Sequence, residues 1–220
     1  MGKEFEKIIK LMIIIFDGIL EVIYPRVNYC IICRNEDCSG LCTKCRNDIQ
    51  RIKDASGSIE SYGYYGGVLK KLILKFKYYS DFTAGDILAE LLEEYIEENF
   101  HYKDFVITYI PLTKKSKRRR GFNQCEYIAK KISRHLNIPC KELLVKNREN
   151  KEQKKLKYSE RFDNVKNIFK LKNNIDIKDL KIIIIDDVTT SGATMEEACR
   201  ILKKYDIKEI KLLTLAKSHI

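Results

Sequence analysis

Apolar positions recur along this chain at two different spacings, and the alternation between them predicts strands and helices in turn. Phe105–Ile110 and Lys181–Ile185 are short, β-branched and nearly all apolar, which is typical of parallel strands buried on both faces. Ile87–Ile96 repeats its apolar side chains at helical spacing and predicts an amphipathic helix. The same reasoning predicts three more helices and a last strand, over Val68–Phe76, about Gly121–Leu136, Met195–Tyr205 and Glu209–Ala216. This order indicates an open, mostly parallel α/β sheet flanked by helices.

The N-terminal segment Phe5–Ile23 has the spacing of an amphipathic helix. Its longest apolar run, Leu11–Phe16, is too short and too closely flanked by charges to span a bilayer. The residues that follow, Val22–Arg26, lack the small-residue cleavage site of a signal peptide. We therefore expect a cytoplasmic protein with no membrane span, in which this helix packs on its own chain. A helix that lies on a membrane surface or on a partner is the alternative.

Two segments lack a clear period. Tyr62–Gly67 is rich in glycine and tyrosine and predicts a turn region, whereas residues 146–167 are highly charged and predict a long mobile loop. The polar stretch Asp54–Ser58 predicts a linker. A chain of 220 residues with 45% hydrophobic side chains is long enough to bury one main core. We therefore expect an N-terminal unit over residues 1–57 and a main domain over residues 58–220.

The strand Lys181–Ile185 leads directly into the most informative chemistry of the chain. Two acids, Asp186 and Asp187, precede a turn rich in hydroxyl side chains, Thr190–Thr194. Ligands of open α/β sheets bind beyond the carboxyl ends of the strands, where this turn must lie. The helix that follows presents unpaired N–H groups that suit a phosphate, and Gly192 lets the backbone approach the anion closely. The adjacent carboxylates suit sugar hydroxyls, which donate hydrogen bonds, better than they suit the phosphate itself.

This run resembles the signature with which type I phosphoribosyltransferases bind 5-phosphoribosyl-1-pyrophosphate (PRPP). The resemblance implies the type I phosphoribosyltransferase fold, with Asp186 and Asp187 as catalytic residues that hold the ribose hydroxyls, and magnesium bound with PRPP. The implied PRPP-binding residues are Asp186, Asp187, Val188, Thr189, Thr190, Ser191, Gly192, Ala193 and Thr194. Two alternatives remain open: an ordinary acidic turn with an N-capped helix, and a Mg²⁺-binding pair of aspartates in an unrelated α/β enzyme.

A basic segment follows the first predicted strand. The formal net charge of +11 favours phosphorylated ligands, nucleic acid or an anionic membrane, without choosing among them. Lys114–Arg120 contains six cations in seven residues, placed where they can neutralise a pyrophosphate or a nucleic-acid backbone. We interpret it as a basic turn whose pyrophosphate-binding candidates are Leu112, Thr113, Lys114 and Arg120. A solvated loop without a ligand is the alternative.

The motif Arg-Gly-Phe-Asn-Gln, at Arg120–Gln124, resembles the ComF family of competence-associated, phosphoribosyltransferase-like proteins. The charged loop has residues at spacings similar to that family's pattern, namely Arg148, Gln153, Leu156, Arg161, Asn164 and Phe169. The related transferases close such a loop over PRPP and expel water, which implies Arg148 and Arg161 as catalytic candidates. Asn150 and the pair Thr113–Lys114 depart from the family's usual residues, which leaves the fine geometry of the loops open.

Four of the eight cysteines form two pairs with metal-ligand spacing, Cys30-x2-Cys33 and Cys42-x2-Cys45. Four thiolates in this arrangement can surround one tetrahedral Zn²⁺ and stabilise a small unit with little core of its own. The set leaves no open coordination position, so we expect a structural zinc, and ComF proteins carry a similar four-Cys element. Disulfides are one alternative, disfavoured in a reducing cytoplasm. Cys38 in place of one ligand is another.

The other cysteines and the histidines indicate no chemistry. Cys125, Cys140 and Cys199 lie in predicted helices or at an apolar edge, and we expect them to be small core residues, since the sequence shows no plausible base next to any of them. None of the three histidines suggests a catalytic triad.

Two functions fit these features. In the first, implied by the resemblance, the chain is a PRPP-binding ComF protein that acts in DNA uptake during natural transformation, with single-stranded DNA and DNA-uptake proteins as partners. The basic segments and the tyrosines between Tyr62 and Tyr79 would then contact the backbone and stack on bases, although such tyrosines more often pack in a core. In the second, the chain is an active phosphoribosyltransferase in nucleotide salvage or metabolism. The acceptor and the oligomeric state are not encoded in any recognisable motif.

Overall fold

The computed structural model describes residues 27–52, 57–146 and 167–218. The helix predicted at Phe5–Ile23 lies outside the described residues, as do Arg148 and Arg161 and nearly all of the predicted mobile loop. Within the part of the chain that the structure describes, no helix is both long and apolar enough to cross a membrane.

A parallel sheet forms the centre of the main domain. The strands, in chain order, are β1 (Ile59–Tyr64), β2 (Phe105–Tyr109), β3 (Leu144–Lys146), β4 (Phe169–Leu171), β5 (Lys181–Thr189) and β6 (Glu209–Lys217). Four of them pair in parallel in the order β1-β6-β5-β2, and β3 and β4 form a separate antiparallel pair. The carboxyl ends of the four parallel strands therefore lie at one edge of the sheet, which we call the carboxyl edge.

Helices cover both faces of this sheet. The α-helices in the described residues are α1 (Thr43–Asn47), α2 (Gly67–Tyr79), α3 (Phe82–Asn99), α4 (Lys114–Arg120), α5 (Gln124–Leu136) and α6 (Ala193–Leu202). Ile183 and Ile185 of β5 belong to a core cluster with side chains of α2, α3 and α5, whereas Ile182 and Ile184 belong to a second cluster with α6. Both faces of β5 are thus buried, which explains why four isoleucines follow one another.

The predicted helices and strands of the main domain are confirmed, with ends shifted by a few residues. Helices α2, α3, α5 and α6 and strands β2, β5 and β6 form where the apolar spacing indicates. Caps set their ends. The Asp81 carboxylate accepts a hydrogen bond from the Ala84 N–H at 3.2 Å where α3 begins, and Asn137, with φ 54°, ends α5 in the left-handed region.

The predicted turn region at Tyr62–Gly67 is wrong for its first half. Ile59–Tyr64 is strand β1, which adds to the edge of the sheet beside β6. The Ser61 Oγ lies 2.7 Å from the Thr214 Oγ1 of β6, so the two buried hydroxyls satisfy each other. A strand that contains glycine and serine lacks a clear apolar alternation, and its partner β6 lies about 150 residues away in sequence.

The predicted basic turn is also wrong, because Lys114–Arg120 forms helix α4. The Thr113 Oγ1 accepts a hydrogen bond from the Ser116 N–H at 3.1 Å and caps the start of this helix. Gly121, with φ 81°, ends it in the left-handed region. The helix dipole places partial negative charge at the C-terminus, which favours cations in the last turn. This attraction offsets the repulsion among the like charges of the segment, so the segment can form a helix.

The four-Cys element packs on the main domain. Cys30 and Ile49 belong to the same core cluster as side chains of α2 and α3. The Tyr64 N–H donates to the Gln50 carbonyl at 2.9 Å, which joins the end of this element to β1. Gly63 is needed at this contact, because a Cβ there would lie 2.6 Å from the Gln50 carbonyl oxygen.

Candidate functional site

The acidic pair lies inside β5, near its carboxyl end. The sequence predicts a strand that ends at Ile185, but β5 continues through Thr189. Asp186 pairs in register with Thr214 of β6, so the sheet holds the backbone of the first acid. The turn at residues 190–192 then connects β5 to α6. The two acids therefore reach the carboxyl edge as part of a rigid strand rather than of a loop.

Asp186 is in contact with two donors. The Asp187 N–H donates to the Asp186 Oδ1 at 2.8 Å, and the Cys125 Sγ lies 3.4 Å from the same oxygen. Burial, followed by the charge of Asp187, raises the pKa of Asp186 to about 7. Burial also raises the pKa of the Cys125 thiol, which keeps its proton and acts as the donor. Asp186 therefore holds its proton more strongly than an exposed aspartate does.

Asp187 forms an ion pair with Lys77 of α2. The Lys77 Nζ lies 3.0 Å from the Asp187 Oδ2, and the two side chains are only 20% and 15% exposed. Burial alone would lower the pKa of Lys77, but the Asp187 carboxylate outweighs it and raises that pKa. Lys77 is thus a charged ammonium group in direct contact with the acidic pair.

The turn after β5 suits an anion. Gly192 has a φ of 81°, and a Cβ there would lie 2.8 Å from the Ile59 Cδ1, so both the backbone conformation and the space require glycine. Gly192 is also the N-cap of α6, and among the described residues no side chain caps this helix. The first N–H groups of α6 therefore point to the carboxyl edge without a side-chain acceptor, which is the usual setting of a bound phosphate.

Two more cations interact with this group from other elements. Arg120, at the end of α4, is close enough to Lys77 for its charge to oppose the raised pKa of that lysine. The pKa of Lys146, at the end of β3, is lowered by burial, and Asp186 offsets part of that effect. Two carboxylates, one paired with a lysine of α2 and both within the electrostatic reach of cations from α4 and β3, suit a ligand that carries both hydroxyls and several negative charges.

The Arg-Gly-Phe-Asn-Gln motif holds α5 against the end of β2. The Asn123 Nδ2 donates to the Ile110 carbonyl at 3.1 Å, while its Oδ1 accepts from the Cys125 N–H at 3.0 Å and caps α5. Phe122 packs on the Phe76 ring of α2, with 5.0 Å between the centroids. The motif therefore sets the positions of Cys125 and of the end of α2, and through them the surroundings of the acidic pair.

The four predicted zinc ligands come together in the N-terminal element. The sulfur atoms of Cys30, Cys33, Cys42 and Cys45 all lie within 4.8 Å of one another, and the Cys33 and Cys42 sulfurs are 3.6 Å apart. Tetrahedral zinc with Zn–S bonds of about 2.3 Å requires sulfurs roughly 3.8 Å apart. Against the effect of burial, backbone N–H donors lower the pKa of Cys30 to about 6, which favours a thiolate. The geometry is compatible with a structural zinc ion.

Cys38 lies beside this cluster and is close enough to interact with the Cys30 thiol. Its Sγ is 3.7 Å from the Asn35 carbonyl oxygen, toward which the thiol donates. The set of four sulfurs that can hold a metal is formed without it.

Comparison with known proteins gives the family. Residues 123–220 match the family model described as the phosphoribosyl transferase domain. Competence protein F of Haemophilus influenzae is 30% identical over 164 residues, which cover 71% of this chain and 71% of that protein. Competence protein ComFC of Bacillus subtilis is 30% identical over 193 residues, which cover 86% of this chain and 78% of that protein. This chain belongs to the ComF family.

The fold of this ComF chain agrees with that family. The phosphoribosyl transferase model and the parallel sheet flanked by helices confirm the type I phosphoribosyltransferase fold predicted from the sequence. Among solved structures, a purine phosphoribosyltransferase from Pyrococcus horikoshii is 25% identical, with a TM-score of 0.41 over 60% of this chain and 73% of that chain.

The fold places those predicted PRPP-site residues that the structure describes in two groups. Asp186, Asp187 and the turn that ends at Thr194 lie together at the carboxyl edge, and Arg120 is close enough for its charge to act on Lys77. Leu112 and Thr113 follow the end of β2, and Lys114 is exposed in the first turn of α4. Arg148 and Arg161 lie outside the described residues.

Three residues of this site were missed by sequence reasoning: Lys77, Cys125 and Lys146. Cys125 is a buried core residue, as the sequence predicts, and its contact with Asp186, 61 residues away in sequence, forms only in the fold. No local pattern signals such a contact. The one sequence hint for Lys77 is its position directly after Phe76, the last buried residue of α2.

Proposed function

We propose that this ComF chain binds Mg²⁺-PRPP at Asp186 and Asp187. The observation that carries the proposal is the acidic pair, held in a rigid strand at the carboxyl edge and followed by the Gly192 turn at a helix N-terminus. The carboxylates accept hydrogen bonds from the ribose hydroxyls, and the N–H groups at the start of α6 bind the 5′-phosphate. The phosphoribosyl transferase model supports this ligand because it includes both acids and the whole turn.

The pyrophosphate then lies among the cations. Arg120 and Lys77 are near the acidic pair, and the residues after β2, from Leu112 to Lys114, are the remaining pyrophosphate-binding candidates. When bound with PRPP, Mg²⁺ neutralises part of the pyrophosphate charge and so favours its departure. Arg148 and Arg161 remain our candidates for contacts from the charged loop.

Titration calorimetry of the full-length protein with PRPP in the presence of Mg²⁺ tests this proposal. We expect saturable binding of one PRPP per chain, with a dissociation constant between about 1 µM and 1 mM, the range of most enzyme substrates. Ribose 5-phosphate, which lacks the pyrophosphate, should bind more weakly. The proposal is wrong if PRPP produces no saturable heat at millimolar concentration.

We also propose that the chain acts in DNA uptake through a surface for single-stranded DNA and contacts with DNA-uptake proteins. Support comes from the names of its relatives, which are competence proteins, and from one surface. Tyr78 and Tyr79 are 59% and 79% exposed, and the Arg120 guanidinium lies 6.0 Å from the Tyr78 ring centroid. Exposed aromatic rings next to the basic helix α4 suit base stacking with backbone contacts. Tyr62, in contrast, is buried in the core.

The Tyr78→Ala/Tyr79→Ala variant is expected to bind single-stranded DNA at least about tenfold more weakly, because stacking contributes roughly 1–3 kcal/mol per base. The Arg118→Gln/Arg119→Gln variant should reduce the slope of log K against log salt concentration by about 0.7 for each phosphate that it no longer neutralises. Fluorescence anisotropy at several salt concentrations measures both effects. Tyr205→Ala, which removes a 43% exposed tyrosine on a different element, is the matched control. Unchanged affinity in both variants would exclude this surface.

The second function is an active phosphoribosyltransferase in nucleotide salvage or metabolism. The observation that favours it is the presence of cations next to the acidic pair, which suits a departing pyrophosphate. A screen of acceptor bases for pyrophosphate release distinguishes the two. Pyrophosphate release that depends on one particular acceptor would establish an enzyme. PRPP binding without pyrophosphate release in the presence of any acceptor would support the first function.

We further propose that Cys30, Cys33, Cys42 and Cys45 bind one structural Zn²⁺. Four converging sulfur atoms and close packing of this element on the core support the proposal. Zinc there would hold together a loop-rich unit whose only described helix, α1, is five residues long.

A further inference from the structure

Lys77 is held in place by the core. Helix α2 buries Val68, Leu69, Leu72, Ile73 and Phe76, and it ends two residues after Lys77. The residue after the helix, Ser80, has a φ of 52°, so the chain turns away at once. Lys77 therefore projects from a short, firmly packed helix end, and its contact with Asp187 is not that of a freely moving surface lysine.

This contact changes what the acidic pair can bind. Two adjacent carboxylates at the end of a strand are by themselves a reasonable site for a hard divalent cation. Here the ammonium group of Lys77 already occupies a position 3.0 Å from the Asp187 Oδ2 and neutralises one charge. Arg120 adds a second positive charge nearby. A bare divalent cation would have to approach against both.

A phosphorylated sugar meets the opposite situation. The sugar hydroxyls donate hydrogen bonds to the carboxylate oxygens. The oxygen atoms of the same hydroxyls can accept from the ammonium group, so Lys77 and Asp187 can bind the same sugar together. The negative charge of its phosphates is attracted by the same cations that repel a metal ion. The ion pair thus opposes one class of ligand and assists the other.

We infer that Lys77 is the specificity-determining residue of this site, because it makes the acidic pair a site for a phosphorylated sugar rather than for a bare divalent cation. This inference rests on the proposed function, since it concerns the same site.

The test compares the wild-type protein with Lys77→Met and Lys77→Gln in two titrations. The first is Mn²⁺ alone, followed by electron paramagnetic resonance, and the second is Mg²⁺-PRPP, followed by calorimetry. Loss of a unit charge a few ångströms away is expected to strengthen Mn²⁺ binding by about tenfold or more. The same change is expected to weaken PRPP binding by about tenfold. These opposite signs are the signature of specificity, because a merely structural role would weaken both.

Three controls define the result. Lys71→Met removes an exposed charge from the same helix and should leave both titrations unchanged. Lys77→Arg keeps the charge and should stay close to wild type for Mn²⁺. Asp187→Asn added to Lys77→Met should abolish the new Mn²⁺ binding, which assigns that binding to the acidic pair rather than to the cysteines.

Equal Mn²⁺ affinity in the wild type and in both Lys77 variants overturns the inference, even where the wild type binds PRPP. A wild type that does not bind PRPP overturns the proposed function instead, and the Mn²⁺ titration still reports whether Lys77 excludes metal. Because two side chains of different polarity replace the lysine, misfolding of one variant, seen as a lowered melting temperature, leaves the other to decide.

Discussion

The Asp186→Asn/Asp187→Asn variant is expected to lose Mg²⁺-PRPP binding by about 100-fold or more, with its fold retained. Hydrogen bonds to charged groups contribute about 1.5–3 kcal/mol each. The loss of one such bond at each acid therefore corresponds to a roughly 100-fold or larger change in Kd. Asparagine keeps the size of each side chain, so the ladder between β5 and β6 is undisturbed. Titration calorimetry measures the change directly.

A matched control separates this loss from a general effect of charge. Asp104→Asn/Asp176→Asn removes the same number of carboxylates from two exposed positions. Asp104 lies just before β2 and its carboxylate is 3.5 Å from the Nζ of Lys181, at the start of β5. It is thus at the opposite edge of the sheet. If the Asp186→Asn/Asp187→Asn variant binds PRPP nearly as well as the wild type does, the carboxylates of Asp186 and Asp187 do not bind the sugar.

The single variants should differ in stability. Asp187→Asn leaves the largely buried Lys77 without its carboxylate and should lower the melting temperature. Asp186→Asn removes a carboxyl whose raised pKa shows that the folded protein disfavours its charge, and should keep or raise the melting temperature above pH 7. Differential scanning calorimetry at pH 8 should therefore give a lower melting temperature for Asp187→Asn than for Asp186→Asn. Equal melting temperatures of the two variants would contradict this expectation.

PRPP affinity of the wild type should rise with pH through the region around 7. Burial and Asp187 raise the pKa of Asp186 to about 7, so below this pH the acid is protonated and is a weaker acceptor for a ribose hydroxyl. The unfolded chain releases this proton near the ordinary value of 3.8, so the contribution of Asp186 to folding stability falls as pH rises from about 4 to 7. Asp186→Asn should make both the PRPP affinity and the folding stability less dependent on pH in this range.

Removal of the proposed zinc is the second change for which we expect a large effect. Structural zinc sites in small zinc-binding units have apparent binding free energies of about 10 kcal/mol or more. A net loss of only about 3 kcal/mol lowers the melting temperature of a protein of this size by roughly 6–12 °C. Because Cys30, Cys42 and Cys45 belong to the core cluster that includes α2 and α3, we expect the loss to spread into the main domain. Cys30→Ser and strong chelators should both produce it.

Cys38→Ser is the control for this experiment. Its thiol contacts the Asn35 carbonyl and lies outside the four-sulfur set, so the variant should keep one zinc per chain and nearly the wild-type melting temperature. Elemental analysis with a parallel melting curve gives both values. Zinc lost in Cys38→Ser but kept in Cys33→Ser would reassign the ligands, and a melting temperature unaffected by chelator would refute structural zinc.

Features that depend only on neighbouring residues could be predicted without the fold. The isoleucine run of β5 predicts a strand buried on both faces, because every residue of such a strand meets a core. The acids and the Gly192 turn follow the isoleucine run without interruption, so their proximity to the carboxyl end of a strand could be predicted, although the strand extends four residues further than expected. The two Cys-x2-Cys pairs likewise encode their cluster through spacing alone.

The surroundings of the acidic pair, in contrast, depend on tertiary packing. Lys77, Cys125 and Lys146 come from α2, α5 and β3, and no local period relates them to β5. Strand β1 was missed for the same reason, since its partner β6 lies at the far end of the chain. Helix α4 was also missed, but not because of distant contacts. Its N-cap Thr113 and its C-cap Gly121 are both local signals of a helix. Local patterns encode elements and motifs, whereas the charged side chains around the acidic pair come together only when those elements pack.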